Sequence, residues 1–420
     1  KQYVLSTAGQ LFITFLFCGA GIVAILDIDE IIHHAAIMVV PIAAFLFSGA
    51  AIDIYKSIQN FQIRNNFLCA ALLFIYYLLP EYQKYTGLVY LFFVGINVLI
   101  SLYIFSSQTS ALDRGRLSML YFFGIMPIFG LVLLLFYFIG FDVLYFALMS
   151  LALSAGLWYW EHKHPFSKET FFNYSTKVNS IYHLGVDKSD IPLDKDLKEI
   201  IDNSPELVQK VAKTWFQSFV ESGFVFILFI GGILAGIVGF NISVFSFIFE
   251  TPTGYALYIA LVFVAVFFAA IIADYVGRKP IALICAALMG IYVLFFDIFT
   301  KSWYFTLWFL LFPITVSLAL MFLVTITGDF SDTFQRGSVI ALVLISLVIG
   351  SMIGLKIRTW VALDPLDLSY TETILIADIN TLLVGIVLFM LNFTPEPFER
   401  DAIEWKSYLD RLLVVTHTGT

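Results

Sequence analysis

The sequence predicts an all-α polytopic membrane protein, twelve transmembrane helices arranged as two pseudo-symmetric six-helix bundles. Three observations predict it: the composition, the spacing of the apolar runs, and a repeat relating the two halves. Of 420 residues, 60% are hydrophobic and 13% charged, and mean hydropathy is +0.92. A soluble domain is about 45 to 50% apolar and about 25% charged, so lipid is the bulk solvent for this chain. The net charge of -8 says little about partners, because the acids concentrate in one central loop and the C-terminal tail. Cys18, Cys69 and Cys285 lie within apolar runs, without the paired spacing of a disulfide framework or a zinc site. The first apolar run is too long for a signal-peptide core and reads as span 1.

A helix needs about 20 apolar residues to cross the hydrocarbon. Twelve such runs are read at 4 to 26, 35 to 54, 66 to 80, 86 to 106, 117 to 138, 142 to 160, 216 to 240, 255 to 274, 280 to 299, 303 to 326, 337 to 355 and 372 to 392. The domains follow: residues 1–160 form the N-terminal bundle, 161–215 a central loop, 216–393 the C-terminal bundle and 394–420 a tail. With a cytoplasmic N-terminus, only Lys84, Lys301, Lys356 and Arg358 of the 23 Lys and Arg residues fall outside. Long loops count little in the positive-inside rule. Setting aside the eight central-loop lysines still leaves 11 inside against four outside, so both termini are expected in the cytoplasm. Trp158, Trp160, Trp215, Trp303 and Trp360 fall at span ends, where an interfacial aromatic belt belongs.

The segment from Glu161 to Lys213 is the one strongly polar stretch. Ser204-Pro205-Glu206 supplies an N-cap, a proline at the first helical position and an acid in the first turn. Leu207, Val208, Val211, Ala212 and Trp215 then form one apolar stripe, and Leu193, Leu197, Ile200 and Ile201 form another after Pro192. Two amphipathic helices lying on the cytoplasmic face are one reading, and a partly ordered linker is the other.

The repeat is the most specific internal signal. Span 2 ends Gly49-Ala-Ala-Ile-Asp53 and span 8 ends Ala270-Ile-Ile-Ala-Asp274, so the aspartates stand 221 residues apart. Span 5 opens with Arg114-Gly115 and span 11 with Arg336-Gly337, 222 apart. Two concordant offsets imply a parallel duplication of a six-span unit. Asp274-Tyr-Val-Gly277-Arg278-Lys279 resembles the loop signature of the major facilitator superfamily, an acid, two residues, then Gly-Arg-Arg/Lys. The first-half copy keeps Gly49 and Asp53 but continues Ile-Tyr-Lys56-Ser57, and Pro395-Glu396 with Ile403-Glu404 faintly resembles a sugar-porter ending. The resemblance implies a secondary transporter with this fold. It also implies a gate formed by Gly49, Asp53, Arg114, Asp274, Gly277, Arg278, Lys279 and Arg336, in which Asp53 meets the start of span 11 and Asp274 the start of span 5. Gly277 is expected at positive φ, the cations at the headgroups, and the acids beside free helix N–H groups. The chain departs from the family in two places. The run from Leu88 to Phe105 lacks the arginine often placed inside span 4, and Pro127-Ile-Phe-Gly130 follows Met126 where antiporters carry glycine.

Ionisable residues inside spans default to functional candidates. Glu221 lies about 7 Å into span 7 at 1.5 Å per residue, beside Gln217 and Ser222. Asp378 lies two turns into span 12, followed by Asn380 and Thr381, and is expected to face the bundle interior with a hydrogen-bond partner. Interfacial snorkelling and a structural hydrogen bond are their plainer roles. Asp142, Glu250 and Asp297 sit near outer ends as solvated groups. Gln10, Thr14, Asn97, Ser101, Thr315, Ser317 and Thr325 are uncharged polar residues of spans 1, 4 and 10, available to a solute or to a neighbouring helix. By the resemblance, spans 1, 4, 7 and 10 line the cavity.

Enzymatic constellations are missing from the sequence. His33-His34 and Glu161-His162-Lys163-His164 lack the closed spacing of a metal site, and there is no phosphate-cradling glycine loop, nucleophile elbow or nucleic-acid patch. Among the Asn-x-Ser/Thr sequons only Asn241 is placed outside. No cofactor is expected. The leading reading is a monomeric, multi-pass carrier of a small solute by alternating access, with protons as a coupling partner through Glu221 or Asp378. The alternative is a non-transporting sensor or scaffold of the same fold.

Overall fold

The structure is a computed structural model. It describes residues 2–26, 31–54, 58–109, 114–115, 118, 143–163, 223–238, 252–275, 277–294, 336–361 and 370–393, with positions 314, 315, 318, 319, 322, 323, 325, 326 and 328. The numbering of the predicted spans is kept for the helices. These are Gln2–Leu26 (span 1), Ile31–Ile54 (2), Ile58–Leu78 (3), Gln83–Gln108 (4), Val143–Lys163 (6), Phe224–Val238 (7), Pro252–Tyr275 (8), Arg278–Leu294 (9), Arg336–Val361 (11) and Tyr370–Phe393 (12). No strand occurs among the described residues. Leu79, whose backbone is non-helical, and the 3₁₀ turn Pro80–Tyr82 separate spans 3 and 4, as proline at the head of a helix permits. Four of the helical stretches are long and apolar enough to cross a bilayer: Pro80–Ser107, Val143–Trp160, Arg336–Ile357 and Ile374–Asn392. The architecture is that of a multi-pass integral membrane protein.

Several predicted boundaries move outward. Span 3 begins at Ile58, not at 66, because Gln62, Asn65 and Asn66 are helical and buried at 0%, 4% and 1% exposure, while Arg64 points out. Averaged hydropathy leaves Gln62 and Asn65 outside the span, although the burial of this amide-rich turn follows helical periodicity. Span 2 begins at Ile31 and takes in His33 and His34; span 11 runs to Val361 and takes in Lys356 and Arg358. Span 6 continues to Lys163, where Lys163 lies over the Tyr159 ring, 4.5 Å from its centre. Exposed Trp158 at this end of span 6 and exposed Trp360 near the end of span 11 fit the interfacial belt.

Spans 1, 3, 4 and 6 share one apolar core around Phe17, Leu73, Tyr90 and Phe146. Spans 7, 8, 9, 11 and 12 share another around Phe224, Ala269, Ile281, Val343 and Val387. A third cluster joins the halves, with Ala44, Phe45 and Ile52 of span 2 and Ile96, Leu99 and Ile100 of span 4 against Ile340, Ala341 and Leu344 of span 11. In hydrocarbon, helix association depends on close fit and polar contacts more than on expelling water. Spans 7 and 11 illustrate the fit: a Cβ on Gly232 or Gly236 would collide with the span 11 carbonyls of Leu347 and Ser351. A Cβ on Gly350 or Gly354 would collide with those of Phe229 and Ile233. Two small-xxx-small pairs therefore hold these backbones in direct contact.

Candidate functional site

The gate residues occupy one end of the bundle, the end assigned to the cytoplasm by charge and called the inner face below. Gly277 has φ 130°, the turn conformation its position calls for, and its N–H closes on the Ile272 carbonyl at 2.9 Å. Arg278 does not face headgroups as expected. It is fully buried and donates to the Ala273 carbonyl in the last turn of span 8. A guanidinium there satisfies a carbonyl the helix leaves free, and its charge suits the negative end of the helix dipole. Lys279 reaches the Asn392 carbonyl near the end of span 12 at 3.4 Å.

The two repeat-related arginines, Arg114 and Arg336, are also fully buried. Arg114 donates through Nε to Thr109 Oγ1 at 2.9 Å and through Nη2 to the carbonyls of Thr109 at 3.0 Å and Ser106 at 3.5 Å, at the inner end of span 4. Its guanidinium lies where a Cβ on Gly328 would stand, so an N-half cation rests on backbone of the C half. Arg336 crosses the other way and donates to Ser107 Oγ at 2.8 Å. By the 222-residue offset, Gly328 is the counterpart of Ser106, so each arginine reaches the inner end of the opposite half's fourth helix. Beside them, a Cβ on Gly49 would lie 2.7 Å from the Ala341 Cβ and 3.1 Å from the Gly337 oxygen, which leaves no gap between spans 2 and 11. The inner ends of the two halves are in contact. Asp53 and Asp274 end their helices at this level, and their side chains lie outside the described residues.

A second polar group lies inside the N half, where spans 1, 3 and 4 each present a pair spaced four apart: Gln10 with Thr14, Gln62 with Asn66, Asn97 with Ser101. All six are at least 94% buried. Asn66 Nδ2 donates to Gln10 Oε1 at 2.9 Å, Thr14 and Ser101 share a hydrogen bond at 2.7 Å, and Asn97 Nδ2 reaches Cys69 Sγ at 3.4 Å. Asn65 donates to the Phe93 carbonyl at 2.9 Å. Left over are Gln10 Nε2, both amide atoms of Gln62, Asn66 Oδ1 and Asn97 Oδ1. The sequence pointed to the pairs on spans 1 and 4. It missed Gln62, Asn65 and Asn66, whose four-residue spacing was the available signal, and also Ser107, Thr109 and Gly328.

The other candidates disperse. Asp378 is exposed on the stripe of Leu375, Leu382 and Phe389, not turned into the bundle as expected. Two positions on, Asn380 is fully buried with both amide atoms unpaired, on the face that sets Ile376 against Ile233 and Ile237. Thr315 and Thr325 are buried, Thr325 bonding its own helix at the Phe322 carbonyl, 3.1 Å away. Glu221, Gln217, Ser222, Ser317, Asp142, Glu250, Asp297, Asn241, Pro127 to Gly130 and the whole central segment and tail lie outside the described residues. No group of three or more His, Cys, Asp or Glu side chains converges among the described residues.

No family model matches the sequence, and no curated protein matches it. Solved structures do. The proton:xylose symporter XylE bound to 6-bromo-6-deoxy-D-glucose aligns at a TM-score of 0.63 with 14% identity, over 99% of this chain and 98% of that one. The human organic anion transporter MFSD10 (TETRAN) aligns at 0.56 with 12% identity, over 94% and 99%. A partially occluded inward-open form of XylE from E. coli aligns at 0.53 with 18% identity, again over 94% and 99%. With the inner-face arginines related by the repeat, these full-length alignments show that the chain has the fold of the major facilitator superfamily.

Proposed function

We propose that this protein is a secondary carrier that moves a small solute by alternating access, built as two six-helix bundles within residues 1–160 and 216–393. A central loop, 161–215, and a tail, 394–420, lie on the cytoplasmic side with both termini. The observation that carries the reading is the contact of the two inner ends: Arg336 donates to Ser107 of the N half, the Arg114 guanidinium packs against Gly328 of the C half, and Gly49 lies against Gly337. Contacts of this kind hold one face shut and are broken when the halves rock, which is the bistable element that alternating access requires. The structurally similar proteins named above, a proton:xylose symporter and an organic anion transporter, support carriage of a solute. Asp274 at the start of span 5 and Asp53 at the start of span 11 complete the gate in this reading, as anions beside exposed helix N–H groups.

Coupling to protons falls to Glu221, with Asp378 reduced to a secondary candidate by its exposure. Purified protein is screened for thermal stabilisation against sugars, amino acids, organic acids and lipophilic cations, and the hits are tested for counterflow in proteoliposomes. Solute-specific exchange is expected, with pH-driven uptake lost and exchange retained in Glu221→Gln. Absence of exchange for every stabilising solute would contradict the carrier reading. Unchanged pH dependence in the variant would remove Glu221 as the coupler.

A further inference from the structure

We infer that the buried amide cluster of spans 1, 3 and 4 is the recognition site for a small uncharged, hydroxyl-bearing solute of the polyol class. The inference rests on the carrier reading for its purpose, though not for its geometry. Five buried atoms carry it: Gln10 Nε2 and Gln62 Nε2 as donors, and Gln62 Oε1, Asn66 Oδ1 and Asn97 Oδ1 as acceptors. An amide atom buried without a partner is costly, so isolated cases are rare in native interiors. Three adjoining helices here concentrate five of them, together with Thr14 and Ser101, whose hydroxyls pair with each other. Counted along each helix, Gln62 stands about 6 Å, Gln10 and Asn66 about 12 Å and Asn97 about 16 Å from the inner end, a spread of about two helical turns.

The balance of the set selects the ligand. A cation would be met by three carbonyl oxygens but also by two amide NH₂ groups turned towards it. An anion would meet the reverse mismatch. A hydroxyl group donates and accepts at once, so a run of hydroxyls satisfies both kinds of atom without leaving a charge in a neutral, dehydrated site. The conclusion is insensitive to which way each amide is turned: rotating Gln62 only swaps its two free atoms, and rotating Asn97, or Gln10 together with Asn66, leaves a set that still holds both donors and acceptors. Arg64, the charged residue within the same stretch of span 3, points away from the cluster. By the same 222-residue offset Gln10 and Thr14 correspond to Gly232 and Gly236, and Gln62 and Asn66 to Ile284 and Leu288, so these four positions carry no polar side chain in the C half.

The test uses the full chain in detergent and thermal stabilisation by glycerol, xylitol and myo-inositol, with succinate and choline as charged comparators. The parent is expected to respond to at least one of the three polyols and to neither charged compound. Gln62→Leu and Asn97→Leu, close to their parents in size, are expected to lose affinity about tenfold or more for each lost hydrogen bond. Ligand-free melting of Gln62→Leu is expected at or above the parent's, since an amide with both atoms unpaired is removed. Stabilisation by the charged compounds alone, no stabilisation by any polyol, or a polyol response unaltered in both variants would overturn the assignment. The parent's own selectivity decides the matter even if a variant fails to fold. Counterflow separates this site from the carrier reading. Exchange of a charged solute without polyol binding leaves a carrier and removes the site, whereas polyol binding without any exchange leaves the site and removes the carrier.

Discussion

The two halves share a scaffold and differ in what fills it. Where span 1 carries Gln10 and Thr14, span 7 carries Gly232 and Gly236 at the repeat-related positions, and the neighbours differ accordingly. In the N half the spaces between helices hold amides and hydroxyls with hydrogen bonds left to make. In the C half the glycines let span 7 and span 11 meet backbone to backbone. A duplicated fold thus keeps the arginine seats that join the halves, while one copy is given to polar recognition and the other to rigid packing. Asn380 of span 12 is an amide of the C half that is fully buried with both polar atoms unpaired.

The largest effect is expected from breaking that rigid packing. Gly236→Leu must push span 11 away along its whole contact, and overpacking costs about 1 to 3 kcal/mol even where neighbours are side chains that can yield. Here the neighbour is the Ser351 backbone, so loss of the folded, monodisperse species in size-exclusion thermostability is expected. The counterpart change Thr14→Val removes one hydroxyl and is expected to cost about 1 kcal/mol. Equal tolerance of both substitutions would erase the distinction between the halves.

Next come the contacts that join them. Gly49→Val wedges spans 2 and 11 apart and is expected to shift the protein strongly towards an inner-open state, read as faster labelling of cavity cysteines from the cytoplasmic side. Asp274→Asn is expected to act in the same direction by about tenfold, roughly 1.4 kcal/mol of differential contact energy. Asp53→Asn is expected to do less, because the first copy of the signature has lost its Gly-Arg-Lys. No gain in labelling for Asp274→Asn would make the motif a matter of topology and capping, and a larger gain for Asp53→Asn would reverse the asymmetry.

How much of this could be read beforehand varies from residue to residue. Composition and the 221 to 222 offset carry the fold class, because lipid imposes long apolar helices and duplication leaves its spacing behind. The arginines at 114 and 336 were legible as a repeated pair. Their partners were not, since a buried guanidinium seated on helix-end carbonyls leaves no pattern in the chain that supplies those carbonyls. Arg278 departs from its expected place for the same reason: the loop signature puts this cation at the headgroups, and the last turn of span 8 takes it in. Hydropathy averaged over a window leaves Gln62 and Asn65 outside span 3 because it hides a polar face on an otherwise buried helix. Asp378 was turned inward because an acid in a span is expected to avoid lipid. It stands two turns from the outer end, on the exposed stripe of a peripheral helix.

The smallest effects concern Asn380 and Asp378 of span 12. Asn380→Leu is expected to leave melting unchanged or raise it by up to about 2 kcal/mol in stability, as removal of an unpaired buried amide allows. A large destabilisation there would mean that the C half hides a polar site of its own. Asp378→Asn is expected to leave solute binding and the pH dependence of uptake unaltered, which proteoliposome uptake across a pH series checks.

The central claim is that the inner-face contact between the halves is one of two states and answers to solute. Spin labels at Ala50 on span 2 and Ser338 on span 11, both exposed beside the contact, measure it in a cysteine-free background reconstituted in lipid nanodiscs. Pulsed dipolar spectroscopy is expected to return a short distance for the closed inner face and a longer one for the open state, with solute changing their ratio. A single distance, the same with and without a transported solute, would contradict it.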